Sequence, residues 1–172
     1  MYRFRQFFDA LTARAREENH KALILLLTPR QRDLFRQMAP NDQRHSLNVC
    51  ATLRQAGHED RDLLVAALLH DVGKSATRIW LWQRALIVLL ERWAPGLLAW
   101  LARSIDDDPG PWWRRSFVVH RQHPQVGAQW AAKAGCSPTT VNLIRRHQER
   151  IPVVQDDLDR LLAILQWADG VN

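Results

Sequence analysis

Along most of the chain apolar residues recur every three to four positions, and no run of four to eight residues alternates apolar and polar side chains with β-branched enrichment. The pattern predicts an all-α fold. Phe4, Phe7, Phe8 and Leu11 form one stripe in a helix over residues 2–26. Thr28 before Pro29 reads as a cap and first turn, and Pro40 opens a helix through RHSLNVCATLRQA that Gly57 ends. Asp60 caps the next run, RDLLVAALLHD, whose near-continuous apolar character predicts a helix buried on most sides and ending at Gly73. Neighbouring residues on a helix point about 100° apart. His70 and Asp71 can therefore share a focus only where a helix end lets the backbone adjust, a freedom we assign to Gly73.

Residues 79–104 are the most hydrophobic stretch, interrupted by Arg84, Glu91, Arg92 and then Ala94-Pro95-Gly96. A membrane-spanning helix wants about 20 mostly apolar residues, so these breaks predict a helical hairpin instead. The turn-rich IDDDPGPWW comes next, and helices are expected near 113–121, 124–134, 137–148 and 156–169, with Gly135 as a separator and Ser137-Pro138 as a start signal.

With 172 residues, 47% hydrophobic and 24% charged, the chain suits one packed domain, 1–172, and excludes extended disorder. The net charge of +6 is carried almost wholly by arginine, which favours an anionic partner or else a solvated arginine-rich surface. Cys50 and Cys136 offer neither a disulfide framework nor a thiolate metal site, and both are expected to be buried thiols. MYRFRQFFDALTARARE lacks the apolar core of a secretory signal, so the expected location is the cytoplasm.

Seven histidines are present. His45 falls mid-helix, His70-Asp71 at a helix end, His123 at a helix start, His147 at a helix end, and Asp169 near the last residues; His20 and His58 lie in polar stretches and are expected to be exposed. Asp71 has two oxygens and can bind two cations at once, which an imidazole with one lone pair cannot do. Imidazole and carboxylate together suit one or two divalent transition ions, iron or manganese ahead of nickel, cobalt or zinc.

RHSLNV, LLHDVGK, HPQVGAQWA, RRHQE and QWAD, in this order over about residues 41–172, resemble the HD superfamily of metal-dependent phosphohydrolases, and within it the HDIG and HD-GYP branches. The resemblance implies a helical bundle in which His45, His70, Asp71 and Asp169 hold a first metal. Asp71 would bridge to a second metal held by His123 and His147. It further implies hydrolysis of a phosphomonoester or phosphodiester, by analogy of a nucleotide or cyclic nucleotide, through metal-activated water. Lys74 resembles the family lysine beside the reacting water or phosphate. Arg44, Arg145, Arg146 and His120 are further substrate-binding candidates, with His120 as the other reading of the HxxH pair it forms with His123.

RIPVVQ stands where the HD-GYP signature requires a run like DGxGYP, and Gln148 replaces a second histidine, so that branch and a three-metal centre are set aside. The run VGKSA after the HD pair also departs from the alarmone hydrolase pattern and from the HDIGHxPFGH type. The long gap between the HD and HP motifs marks about 79–116 as an insertion in a core of 40–172, preceded by helices over 1–39. Trp80, Trp82, Trp93, Trp100, Trp112 and Trp113 crowd that insertion and are read first as core, alternatively as a lid, a base-stacking wall or a docking patch. A protein partner or a membrane surface could meet 79–104, and the alternative to an enzyme is a non-catalytic scaffold that binds in this way. A homo-oligomer is compatible with the sequence.

Overall fold

The computed structural model describes residues 20–76, 81–103, 111 and 113–172, and among them all regular structure is helical. Residues 20–24 are helical, and after them come α1 (Pro29–Gln37), α2 (Pro40–Gln55), α3 (Arg61–Leu69), a 3-10 turn (Val72–Ala76), α4 (Leu81–Trp93), α5 (Pro95–Leu101), α6 (Arg115–Lys133), α7 (Pro138–Arg146) and α8 (Asp157–Gly170). The Phe4, Phe7, Phe8 and Leu11 stripe lies outside the described residues, as do Trp80 and Trp112.

The starts are set by side chains that satisfy amide donors a helix leaves unpaired in its first turn. Thr28 and Gln31 form a reciprocal capping box, and Asp60, Ser137 and Asp156 accept from the amides of Leu63, Thr140 and Asp159. Gly57 and Gly135 end their helices at φ of 85° and 80°, a conformation that side chains disfavour.

Helix α3 is the axis of the core. Leu63 to Leu69 are all buried, and α1, α2, α7 and α8 pack around them. Asp62 ties α3 to α7 by accepting from the hydroxyls of Ser137 and Thr140, at 2.7 and 3.0 Å.

Two expectations are corrected, one in α6 and one in the 3-10 turn packed against it. The sequence predicts a break between 121 and 124, but the helix runs unbroken from Arg115 to Lys133 with Pro124 inside it, so His123 lies mid-helix rather than at a start. Proline removes the amide that would bond to the carbonyl four residues back. The His123 ring supplies the missing donor, its Nδ1–H bonding to the His120 carbonyl at 2.6 Å. The second correction concerns Gly73, which is not a point of backbone freedom. A Cβ there would overlap the His123 carbonyl oxygen and lie 2.8 Å from the Gly127 amide nitrogen. Gly73 is small so that the 3-10 turn can press against α6.

Helices α4 and α5 pack on each other and α5 reaches α6, around a small second cluster of Ile87, Ala102 and Phe117 flanked by Leu86, Leu90, Leu98 and Leu101. These side chains fill the contact without the tryptophans. Trp82, Trp93, Trp100 and Trp113 are exposed, which corrects the reading of these four as core. His20 and His58 are half-buried rather than exposed. Among the described residues no helix is long and apolar enough to cross a membrane.

Candidate metal centre

The end of α3 explains how adjacent residues reach one focus. His70 caps the helix at Leu69, and the chain then tightens into the 3-10 turn, which carries Lys74 back over Asp71 with Nζ 2.6 Å from Oδ2. His45 arrives from α2, Asp169 from α8, His123 from α6 and His147 from the end of α7. Their ligand atoms form two groups, His45 with His70 and Asp169, and Asp71 with His123 and His147; within each group the atoms lie within 4.8 Å of one another.

Asp71 stands between the groups. Its Oδ2 is 3.5 Å from His70 Nε2, and its Oδ1 is 3.4 and 3.9 Å from Nε2 of His123 and His147. In the first group Asp169 Oδ1 lies 2.7 Å from His45 Nε2 and 3.4 Å from His70 Nε2.

Backbone carbonyls fix which nitrogen of each buried ring carries hydrogen. Nδ1–H of His70, His123 and His147 donates to the carbonyls of Ala67, His120 and Ile144, at 2.9, 2.6 and 2.7 Å. Ala67 and Ile144 sit in last helical turns, where carbonyls lack amide partners, and the His120 carbonyl is released by Pro124. A carbonyl can only accept, so in the neutral ring each Nε2 is left with a lone pair. Nε2 of His123 and of His147 are 3.2 Å apart, and Nε2 of His70 is buried without a hydrogen-bond partner.

Two lone pairs at that separation repel unless a cation lies between or beside them. Burial and the charge of nearby His70 and His123 lower the His147 pKa to about 3, so a proton is poorly held there. At His70 burial favours the neutral ring, but the carboxylates of Asp71 and Asp169 outweigh it and raise the pKa. Burial also works to raise the pKa of Asp71 and of Asp169. His70, His123 and Lys74 hold Asp71 well below the usual carboxylate range, and the hydrogen bond to His45 and the nearby ring of His70 lower Asp169. Both carboxylates are therefore ionised at neutral pH. Paired lone pairs, an orphaned buried nitrogen and two acidic groups fit divalent cations of the imidazole-binding kind.

The second group is the more deeply placed, with Asp71, His123 and His147 all buried, whereas His45 and Asp169 are half-exposed. His147 and Asp169 line a cavity of about 720 Å³ together with Gln148, Glu149 and Gln166. Sequence reasoning missed Gln166. Its Nε2 donates to the carbonyls of His147 and Glu149 at 2.9 and 2.7 Å, joining α8 to the end of α7. The signal was its place in QWAD, three residues before Asp169.

The candidate substrate-binding residues are scattered. His120 is half-buried one turn before His123, with ring centroids 6.0 Å apart. Arg44 and Arg145 are exposed. Arg146 is held by two carboxylates, Glu149 at 2.8 Å and Asp159 at 2.9 Å.

The family model described as the HD domain matches residues 43–172. No curated protein and no solved structure matches the chain. The family match spans α2 to α8 and every side chain of the two groups, and the chain belongs to the HD domain family.

Proposed function

We propose that the protein is a metal-dependent phosphohydrolase of the HDIG type that cleaves a phosphomonoester or phosphodiester, with nucleotides or cyclic nucleotides as the substrate class. The observation that carries this reading is the facing pair of His123 and His147 Nε2 atoms at 3.2 Å, with Asp71 presenting one oxygen to them and the other to His70. His45, His70 and Asp169 would hold one ion, His123 and His147 another, and Asp71 would belong to both. Bound there, divalent ions would supply Lewis acidity toward a phosphate ester and a more acidic water. Lys74 helps hold Asp71 ionised, and its ammonium would neutralise charge on a bound phosphate.

Metal analysis of the purified protein and a panel of phosphate esters with and without Mn²⁺ test the reading. Turnover that needs metal and is abolished by His70→Ala and Asp71→Ala, with helical content retained by circular dichroism, is expected. No turnover on a broad panel sinks it. One observation favours a second reading, a scaffold that docks a protein or membrane surface through 79–104: Trp82, Trp93 and Leu89 are all more than half exposed, at 55%, 78% and 56%. Binding to vesicles or a partner without turnover would select it.

A further inference from the structure

Helices α5 and α6 border an open groove of about 910 Å³ whose walls include Trp100, Arg103, Arg121 and Gln125. It adjoins a smaller cavity of about 230 Å³, with Arg121 lining both, and the smaller one is also lined by His120 and Gln148. Gln148 in turn lines the cavity that opens on His147 and Asp169. Arg121 thus borders both the larger and the smaller space, and Gln148 borders both the smaller one and the space beside the candidate metal centre.

The larger space has a definite chemistry. Arg103 and Arg121 both face the larger cavity, and no acidic side chain is among its described lining residues. Trp100 is held in place: the Arg114 guanidinium sits 5.4 Å from the centroid of its ring and donates to the carbonyls of Trp100, Leu101 and Arg103. Trp100 as a residue remains 56% exposed and borders the cavity. Gln125 adds an amide that can both donate and accept. Guanidinium groups recognise phosphate through paired N–H donors, and an aromatic face stacks on planar rings.

We propose that this groove holds the part of the substrate that is not cleaved, with a second anionic group on Arg121 and Arg103 and a planar ring against Trp100. The preferred substrate is then an elongated ester with two separated anionic groups, not a small monophosphate. The inference rests on the hydrolytic reading of the centre, and the test separates the two.

The probe is adenosine 3′,5′-bisphosphate, titrated by calorimetry into metal-free protein so that turnover plays no part. Binding is expected, and Arg121→Gln and Arg103→Gln should each weaken it about fivefold or more. Trp100→Leu should weaken it as well, and should remove the quenching of tryptophan fluorescence that the bound base produces. Absence of binding, or binding that both arginine variants leave unchanged, overturns the groove. Hydrolysis of p-nitrophenyl phosphate and bis(p-nitrophenyl) phosphate by the unaltered protein with Mn²⁺ reports the centre by itself. Turnover of either ester without groove binding defeats this inference alone. Groove binding with no turnover on the broad ester panel, elongated bisphosphate esters included, defeats the hydrolytic reading and with it the groove's part in catalysis, leaving a ligand-binding groove alone.

Discussion

Gly73 and Gly127 lie backbone against backbone: a Cβ at 127 would sit 3.2 Å from the Gly73 amide nitrogen, and at 73 there is no room for one. This contact between the 3-10 turn and α6 sets the spacing of Asp71 from His123. Gly127→Ala should cost about 1–3 kcal/mol, the usual range for overpacking, and should weaken metal binding by moving His123 off Asp71. Chemical denaturation and metal stoichiometry check both parts; a variant as stable as its parent and equally metal-loaded would refute the role. Gly73→Ala should be the more damaging, because its obstacle is backbone.

Without metal the stability of the protein should peak near pH 6.5. His70 has a raised pKa, so its contribution is complete below the ordinary value of 6.5 and is lost as pH rises through the folded value. His147 has a pKa lowered to about 3, so its contribution is present above 6.5 and is lost as pH falls toward 3. Asp71, Asp159 and Asp169, all lowered, add a steeper loss below the ordinary carboxylate value of 3.8. Urea titrations in chelator from pH 3 to 9 measure the profile, and a flat curve between pH 7 and 5 would contradict it.

Metal should bind more weakly as pH falls from 8 to 6, because it competes with the proton that Asp71 and Asp169 favour on His70. Calorimetry in buffers of different ionisation enthalpy should show proton release on Mn²⁺ binding. No release at pH 6.5 would mean that the ring at 70 is already neutral.

Arg146→Ala should lower the melting temperature while leaving KM for a phosphate ester nearly unchanged, since its guanidinium holds Glu149 and Asp159. A raised KM with unaltered stability would return Arg146 to the substrate.

Both cysteines should resist thiol reagents in the native state. Burial is the main cause that pushes the Cys50 thiol up to about 12 and the Cys136 thiol up to about 11, leaving little thiolate at pH 8. Native protein should label slowly, and unfolded protein should label at two sites.

Much of this architecture was legible because caps and apolar periods are local. Thr28, Asp60 and Ser137 announce their helices, and the apolar run of α3 announces a central helix. The six imidazole and carboxylate side chains could be picked out because the motif order is itself a sequence pattern, and the structure brings them together. Three features were not legible. Pro124 looks like a breaker unless one knows that the ring beside it replaces the lost amide. The tightness at Gly73 comes from a helix some fifty residues away, which no local rule reveals. Aromatic spacing in 80–113 marks an apolar stripe, but whether anything covers it depends on the neighbours α4 and α5 receive.

The three carbonyl contacts at Ala67, His120 and Ile144 have a consequence for assembly. Each is made within three residues of its own ring, so local helix geometry fixes which nitrogen of these three neutral rings carries hydrogen. Once neutral, these three rings present Nε2 as the electron-pair donor, so ion capture calls for loss of a proton but no exchange of tautomers.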